Sequence, residues 1–575
     1  MALPGPVKRS RMTVVVLVAA VCATVFLGHG VLGVAFLSDD VALVTWGREA
    51  VGPAFWKPWL GNRLTGEAGS PPYYRPLTLL SHGCDAALWG WTPSGHRLTN
   101  LLLHFGNTLL VFALVRVALP DRPGALAFWT ALLFAMHPAH ETAVWWISCR
   151  MELLCAFFYL ASVTLFGVFM TKRSGWLLLL SVLSGVLAFT AKEMAYTLPC
   201  IWFGLALLKT DAPSPRSRLR AAVVCTLPML FVAAGFMALR LTRMPAENTL
   251  FALDVTPGHV LTVARLAVRY LVFPFHLSLR ELVREHPWGV LAALAVLASL
   301  FWPLRRRLFS LPAGAGMAWM IVTALVLIRT MSPWTLYLPS VGFCLALAGC
   351  APTGPGRREW TAAVAMLAVL FAYTLQLETR KTAWKETDRV TRAFIDDFRH
   401  AVAAEGMHDP VVLCVPGAVA DVPALLHYFE MRMRLETGRQ DLDPAVLAYV
   451  MLPAEPARRG IAVEKADAAS WRVTPADPAT TFLFPHKGYE FQQYPSDTLI
   501  EMPWGLVTLR GDNVAGELTA LDVRPNSAAI EAWRERKWYA FDGEHLVALP
   551  REFARSNGDT QSRRVRIESR RDKRE

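Results

Sequence analysis

The chain has 575 residues, 54% of them hydrophobic and 18% charged, with a mean hydropathy of +0.34. Soluble domains carry about 25% charged residues, so this composition excludes one large soluble enzyme and equally a disordered or fibrous chain. The net charge of +12 does not point to nucleic acid, because much of the Lys and Arg falls in short clusters between apolar runs, as in the cytoplasmic loops of membrane proteins. The nine cysteines include no CxxC pair, and most sit in or beside apolar segments as small hydrophobes.

A membrane-crossing helix needs roughly 20 mostly apolar residues. Such runs are expected at 13–37, 98–119, 124–142, 151–171, 175–191, 196–209, 221–241, 288–304, 311–328, 335–350 and 361–377. The first follows Lys8, Arg9 and Arg11, but it is too long for a signal-peptide core and reads as a retained anchor. Segment 259–276, with Arg265, Arg269 and Pro274, suits an interfacial or re-entrant helix. With the N-terminus inside, the clusters at Arg116/Arg122, Lys172/Arg173, Arg216–Arg220, Arg305–Arg307 and Arg357/Arg358 all fall in the cytoplasm, as the positive-inside rule requires. Loop 38–97, the junctions 137–150, 191–195 and 329–334, and everything after about residue 378 then face outward.

Beyond the last span the pattern changes. An amphipathic helix is expected over Thr382 to Ala404, a strand at Val411–Val415, helices at 421–436 and 443–451, and strands from Trp471 to Val547, which together describe an α+β domain. From Arg551 the tail is basic and poor in apolar residues, the composition of a disordered segment. The expected fold class is a polytopic α-helical membrane protein of about eleven spans over 1–378, followed by an extracytoplasmic α+β domain (379–550) and a basic tail (551–575).

Ionisable groups beside a bilayer mark function. Asp39-Asp40 stand where the first span ends outside. A solvated helix terminus is the plain reading, and an acid–base pair the functional one, since adjacent carboxylates push their pKa values apart. His137-Pro138-Ala139-His140-Glu141 lacks the HExxH helix of a zinc peptidase, which leaves Glu141 as a second acid, followed by Arg150 and Glu152. Outward-facing Arg75, Arg97, Arg150, Lys192, Arg265, Arg269 and Arg329 run against the positive-inside trend. Singly they snorkel to headgroups; as a set they suit a phosphate or pyrophosphate. A carboxylate to take the proton of an attacking hydroxyl and cations to stabilise a leaving phosphate are the parts needed to move a sugar off a lipid phosphate.

On these motifs the sequence resembles the multispanning GT-C glycosyltransferases, and most of all the branch of transmembrane, tetratricopeptide-bearing O-mannosyltransferases and their bacterial relatives. The likeness is carried by Ser38-Asp39-Asp40, Tyr74-Arg75-Pro76-Leu77-Thr78, His96-Arg97-Leu98-Thr99-Asn100 to His104, His137 to Ser148 with Arg150 and Glu152, Ala191-Lys192-Glu193, Phe273-Pro274 to Leu279, and Tyr337 to Phe343. The resemblance implies an inverting transfer from a polyprenyl- or dolichyl-phosphate sugar on the non-cytoplasmic face, with Asp39 or Asp40 as base and Glu141 as the second-loop acid. It makes Arg75, Arg150, Lys192 and Arg329 candidates for the donor phosphate, with His137, His140, Glu152, Glu193 and Tyr337 in support. The implied co-substrate is the lipid-phosphate sugar and the acceptor a protein or glycan, in a bacterial inner membrane with no nucleic acid involved. A carboxylate pair is compatible with a divalent ion, yet no metal-ligand set is evident. The chain departs from the family in having no tetratricopeptide repeats after the last span, and in Met151 and Glu152, where Lys and Asp are commoner. The alternative is a transporter or flippase, which should show midplane charges and repeated halves; here the acids cluster at span ends.

Overall fold

The computed structural model describes residues 6–53, 55–60, 73–243, 257–272, 302–328, 332–352, 356–405, 410–453, 461–467, 470–475, 481–483, 499–502, 505–512, 517–526, 528–529, 536–541, 544–549 and 565–567, with isolated positions at 288, 291, 295 and 299. They form two compact units, one of Met1–Gly33 with Leu43–Arg380, the other of Val34–Ala42 with Lys381–Glu575.

The helices in chain order are α1 (Pro6–Gly28), α2 (Asp40–Ala50), α3 (Lys57–Leu60), α4 (Pro76–Trp89), α5 (Pro93–Ala118), α6 (Gly124–Ala135), α7 (Glu141–Trp145), α8 (Arg150–Lys172), α9 (Gly175–Ala191), α10 (Leu198–Lys209), α11 (Pro215–Arg243), α12 (Pro257–Val272), α13 (Leu311–Ala324), α14 (Pro339–Ala348), α15 (Arg357–Glu405) and α16 (Phe429–Thr437). Among the described residues, four helical stretches are long and apolar enough to cross a membrane: Pro93–Ala118, Ile147–Lys172, Pro215–Thr242 and Glu359–Ala404. Shorter apolar helices run over Met12–Gly28, Gly124–Ala135, Gly175–Ala191, Leu311–Leu327 and Pro339–Ala348. The chain is an integral membrane protein.

Several expected boundaries are corrected. The helix expected over 13–37 stops at Gly28, before a turn in which Gly30 takes φ 81°. The span expected at 124–142 is helical only to Ala135. The last span and the amphipathic stretch after it are a single helix, α15, because nothing between Arg357 and Glu405 is a Gly or Pro that could end it. Most of the span expected at 288–304, the motif Phe273 to Leu279, and Arg329 lie outside the described residues.

Within the first unit α5 explains much of the packing. Its buried face reads His96, Asn100, His104, Asn107, Val111, the i, i+4, i+3 spacing of one helical stripe, while Leu98 and Leu102 face outward. A polar stripe on an apolar helix needs partners inside the protein; the backbone of 135–153 supplies them to Asn100, His104 and Asn107, and the Gly90 carbonyl to His96. Elsewhere, α13 and α14 meet backbone to backbone: a Cβ at Gly316 would lie 2.3 Å from the Gly342 carbonyl oxygen, so small residues set that crossing.

The second unit holds two sheets. In the first, β1 (Val411–Val419) lies between β3 (Ala445–Leu452) and β10 (Trp538–Phe541), parallel to both; β6 (Thr481–Leu483) and β11 (Leu546–Ala548) flank them, and β2 (Val422–Pro423) folds back on β1. The second sheet is antiparallel in the order β12-β4-β5-β9-β8-β7, with β4 at Ile461–Asp467, β5 at Ser470–Pro475, β7 at Leu499–Met502, β8 at Gly505–Asp512, β9 at Glu517–Pro525 and β12 at Val565–Ile567. Val390, Phe394, Phe398 and Val402 of α15 share one buried cluster with β1, with Phe429 and Met433 of α16, and with Trp471 and Val523, and the Phe394 and Phe398 rings meet Phe429. Two expectations change here. Residues 443–451, expected as helix, contain strand β3, because the parallel ladder to β1 overrides the helical preference of Ala, Leu and Met. The tail expected to be disordered contributes β12, paired antiparallel with β4.

Candidate active site

In the first unit, chain 136–150 is broken into short turns around α7. Broken backbone inside a membrane protein persists only where its polar groups find partners. Here α5 provides them: Arg97 Nε donates to the Trp145 carbonyl at 2.9 Å, and Asn100 Nδ2 donates to the carbonyls of Val144 and Trp146 at 3.3 and 3.1 Å. This break brings Glu141 inside. Its Oε1 accepts from Arg380 Nε at 2.9 Å and from Thr142 Oγ1 at 3.0 Å, and both members of the ion pair are buried. Arg380 was not singled out from the sequence. Its signal is that Arg380-Lys381 follow the last span on the side that the positive-inside rule assigns outward.

A second set of charges gathers where α4 begins and α9 ends. The Arg75 guanidinium grips Glu193 through Nε (3.2 Å to each carboxylate oxygen) and Nη2 (2.7 Å), stacks 4.3 Å from the Tyr73 ring, and turns Nη1 to the Met151 sulfur at 2.8 Å. Arg240 approaches the same carboxylate at 3.6 Å. Burial alone would raise the Glu193 carboxyl, but Arg75 and then Arg240 hold it down to about 2, while Arg75 is held above its ordinary value. Next to Glu193 in sequence, Lys192 is ion-paired with Glu152, and both are buried. Arg75, Lys192, Glu193 and Glu152, each singled out from the sequence, are brought together here. Arg240 joins them from α11, where a charge at the end of the apolar run 221–241 was the missed signal.

Arg150 is placed differently from expectation. It is fully buried and its donors are engaged: Nε to Asn100 Oδ1 (2.8 Å), Nη2 to the His96 carbonyl (2.7 Å), Nη1 to the Ser81 carbonyl (3.3 Å) and to Asp85 (2.5 Å). With its fork closed on protein groups, it pins α4 and α5 to α8. His82 of α4 lies beside it, fully buried, with neither ring nitrogen hydrogen-bonded among the described residues. Burial pushes this imidazole well below 6.5, and the nearby Arg150 and His96 add to that.

The remaining supporting residues form a closed core. His137 accepts from the Ala139 amide at Nδ1 and donates from Nε2 to the Leu271 carbonyl (3.1 Å). His140 Nε2 pairs with Ser340 Oγ at 2.7 Å, and Ser340 donates onward to the Tyr337 carbonyl. The Tyr337 hydroxyl meets His104 Nδ1 at 2.7 Å and accepts from Asn107 Nδ2 at 3.1 Å. These contacts tie α5 and the 137–140 turn to the segment 337–340. Among the described residues no group of three or more His, Cys, Asp or Glu side chains could hold a metal ion.

Asp39 and Asp40 belong to the second unit. Both are buried, and Asp40 Oδ2 accepts from the Leu37 amide at 2.9 Å. The segment leading to them is bonded at three points: the Ala35 amide to Asp388 Oδ1 (2.7 Å), the Phe36 carbonyl to Arg432 Nη1 (3.2 Å) and the Ser38 amide to the Ala424 carbonyl (2.6 Å). Ser38 takes φ 49°, an uncommon backbone for a residue with a side chain.

Helices that cross a membrane, a broken and internally bonded loop carrying one acid, a junction rich in cations and a held acidic pair define a polytopic membrane protein with charged sites at helix ends. Comparison with curated proteins gives its relatives as protein O-mannosyl-transferases, which bears out the resemblance read from the motifs. Tmtc1 of Drosophila melanogaster is 32% identical over 34% of this chain and 22% of its own length. Human TMTC4 is 25% identical over 59% of this chain and 54% of its own, and human TMTC2 is 36% identical over 19% and 13%. The chain thus spans about half or less of the length of these relatives. No family model matches. Among solved structures, ArnT from Cupriavidus metallidurans bound to undecaprenyl phosphate aligns over 76% of this chain and 92% of its own, at 13% identity and a TM-score of 0.44.

Proposed function

We propose that the protein is a membrane glycosyltransferase that moves a sugar, mannose in the first instance, from a polyprenyl-phosphate donor to an acceptor hydroxyl of a protein on the extracytoplasmic face. The observation that carries this reading is the junction where three cations, Arg75, Arg240 and Lys192, stand against two carboxylates, Glu193 and Glu152. The carboxylates orient the cations, and among the described residues Arg75 Nη1 meets only a thioether sulfur, a weak acceptor that a phosphate oxygen would outcompete. The relatives' printed names supply the sugar and the acceptor class.

In the proposed step the acceptor oxygen attacks the anomeric carbon, the bond to the donor phosphate breaks with its electron pair going to the phosphate oxygen, and one displacement inverts the centre. Asp40, or Asp39 beside it, takes the hydroxyl proton. Arg75 and Lys192 stabilise the charge gathering on the phosphate, an effect that is large where water is scarce. Glu141, fixed by Arg380 and Thr142, orients the acceptor. A transporter reading is less well supported, since Arg75, Glu152, Lys192, Glu193 and Arg240 lie at or beside helix ends and the relatives are named as transferases.

The test uses the full chain in lipid nanodiscs with polyprenyl-phosphate mannose and, as acceptor, exported proteins from cells lacking this protein, read by the mass gain of one hexose. Wild type should transfer, and Asp40→Asn, eluting as wild type on size exclusion, should not. Transfer by Asp40→Asn at the wild-type rate removes the base assignment. Absence of transfer by wild type from polyprenyl-phosphate mannose and glucose alike removes the function.

A further inference from the structure

The second unit contains an arrangement that the transfer reaction has not used. Its central strand β1 is parallel to β3 on one side and to β10 on the other. The carboxyl end of such a strand is where open α/β sheets place their ligands. Here that end runs into a hairpin to β2 whose tip residues, Ala420 and Asp421, take φ 48° and 65°. Two positive φ values in succession are the pattern of a type I′ turn, normally built from Asn and Gly. Holding Ala and Asp there is costly, and non-glycine residues at positive φ concentrate where a function over-determines the backbone. Tyr428, just before α16, adds a third at 54°.

What this strained end holds is the chain's own segment 35–40. The residue after β2, Ala424, accepts from the Ser38 amide, and the Ala424 amide returns to the Gly417 carbonyl at 2.8 Å. From α16, the buried Arg432 donates to the Phe36 carbonyl, is ion-paired with Glu436 at 2.7 Å, and feels the charge of Asp40. From α15, Asp388 accepts the Ala35 amide and is itself paired with Arg392 at 2.8 Å. Three separate elements of the unit thus bond the main chain of one short segment, and that segment ends in the acidic pair.

We infer that the C-terminal α/β unit is a positioning device for the transfer reaction, in which Arg432, the Ala424 carbonyl and Asp388 fix the backbone of residues 35–38 and thereby aim Asp39-Asp40. This rests on the reading of that pair as the source of the base. Arg432 is a positioning residue: it touches the main chain behind the carboxylates and sets their placement. A misplacement of about 1 Å in a reacting group lowers rate about 10²-fold without weakening substrate binding.

The experiment compares wild type, Arg432→Met, Arg432→Lys and Asp40→Asn as full chains in nanodiscs with polyprenyl-phosphate mannose, measuring kcat, donor KM and apparent Tm. Arg432→Met should lower kcat at least tenfold with donor KM within twofold of wild type, and Arg432→Lys, which keeps the charge and one donor, should recover most of the loss. If both Arg432 variants turn over as wild type while Asp40→Asn is inactive, positioning by this unit is overturned and the base assignment stands. If Asp40→Asn turns over as wild type, the base assignment itself falls. Should Arg432→Met not fold, Arg432→Lys decides alone: wild-type kcat overturns the inference, and a lowered kcat with unchanged KM supports it. Failure of both variants to fold, or loss of donor binding in either, also overturns it and makes Arg432 a purely structural cation.

Discussion

Arg75→Met removes a guanidinium while keeping most of the side-chain volume. In the wild type the Glu193 carboxyl is held at about 2 against an ordinary 4.5. At about 1.4 kcal/mol per decade of acid strength, that displacement corresponds to about 3 kcal/mol of pairing. Both partners are largely buried, at 13% and 16% side-chain exposure, so solvent screening takes little from it. Removing one partner leaves Glu193 facing, among the described cations, the more distant Arg240 at 3.6 Å, and a broken buried pair costs about 3–5 kcal/mol. The assay is intrinsic tryptophan fluorescence during heating in detergent, for which the chain has 20 tryptophans. Because the carboxyl is depressed in the folded state, its contribution is full above pH 4.5 and is lost as pH falls toward 2. The Tm of wild type should therefore drop over that window, and Arg75→Met, lower at neutral pH, should drop less. Equal Tm at pH 7, with the same acid slope in both proteins, would refute the pairing. Normal donor saturation by a folded Arg75→Met would refute its place at the phosphate.

A methyl group at Gly316 or Gly342 should lower apparent Tm by the equivalent of about 1–3 kcal/mol, the usual cost of overpacking, whereas Gly314→Ala, which meets nothing within 4 Å, should not; equal melting of the three variants would show that α13 and α14 do not touch there. His82 is held neutral by burial, so the unfolded chain gains a proton below about 6.5 that the folded chain refuses. Wild-type stability should then fall by up to ~1.4 kcal/mol per pH unit below that point, and His82→Leu should flatten the slope between pH 6.5 and 5; an unchanged slope contradicts the placement. Tyr337→Phe strands His104 Nδ1 and takes one of two acceptors from Asn107 Nδ2, which keeps the Leu153 carbonyl; it should cost about 1–3 kcal/mol, read as a lowered Tm, and a melt equal to wild type means the hydroxyl is not their partner. Asp39→Asn, assayed beside Asp40→Asn, separates the two carboxylates: the one acting as base should lose about 10²–10⁴-fold in transfer, and equal small losses would mean that neither does.

The membrane class, most helices and the family resemblance were legible because each depends on local pattern: runs of apolar residues, clusters of Arg and Lys, and short motifs in order. What was not legible depends on contacts far apart in sequence. Arg380 lies 239 positions from Glu141, and no spacing rule joins them. Arg150 carries the same signature as a phosphate-binding cation until Asp85 and Asn100 are seen to close its fork. The strand over Ala445–Leu452 has the composition of a helix and becomes a strand only because β1 lies beside it. The unbroken α15 was readable in principle, since it lacks Gly and Pro throughout, but the change from apolar to charged residues near 378 looked like a boundary.

The unit containing the acidic pair is assembled from two pieces of chain, residues 34–42 and 381–575. Its first piece is synthesised about 340 residues before the second begins, a delay of tens of seconds at ~5–20 residues per second. Throughout that interval the strip 34–42 has no partner to dock on, so Asp39 and Asp40 gain their final surroundings only once Asp388, Ala424 and Arg432 have been made. A fragment starting at residue 381 would lack the strip 34–42, and a stop codon before Ala424 would leave every helix up to α15 but neither the Ala424 carbonyl nor Arg432 to hold the backbone before the acidic pair.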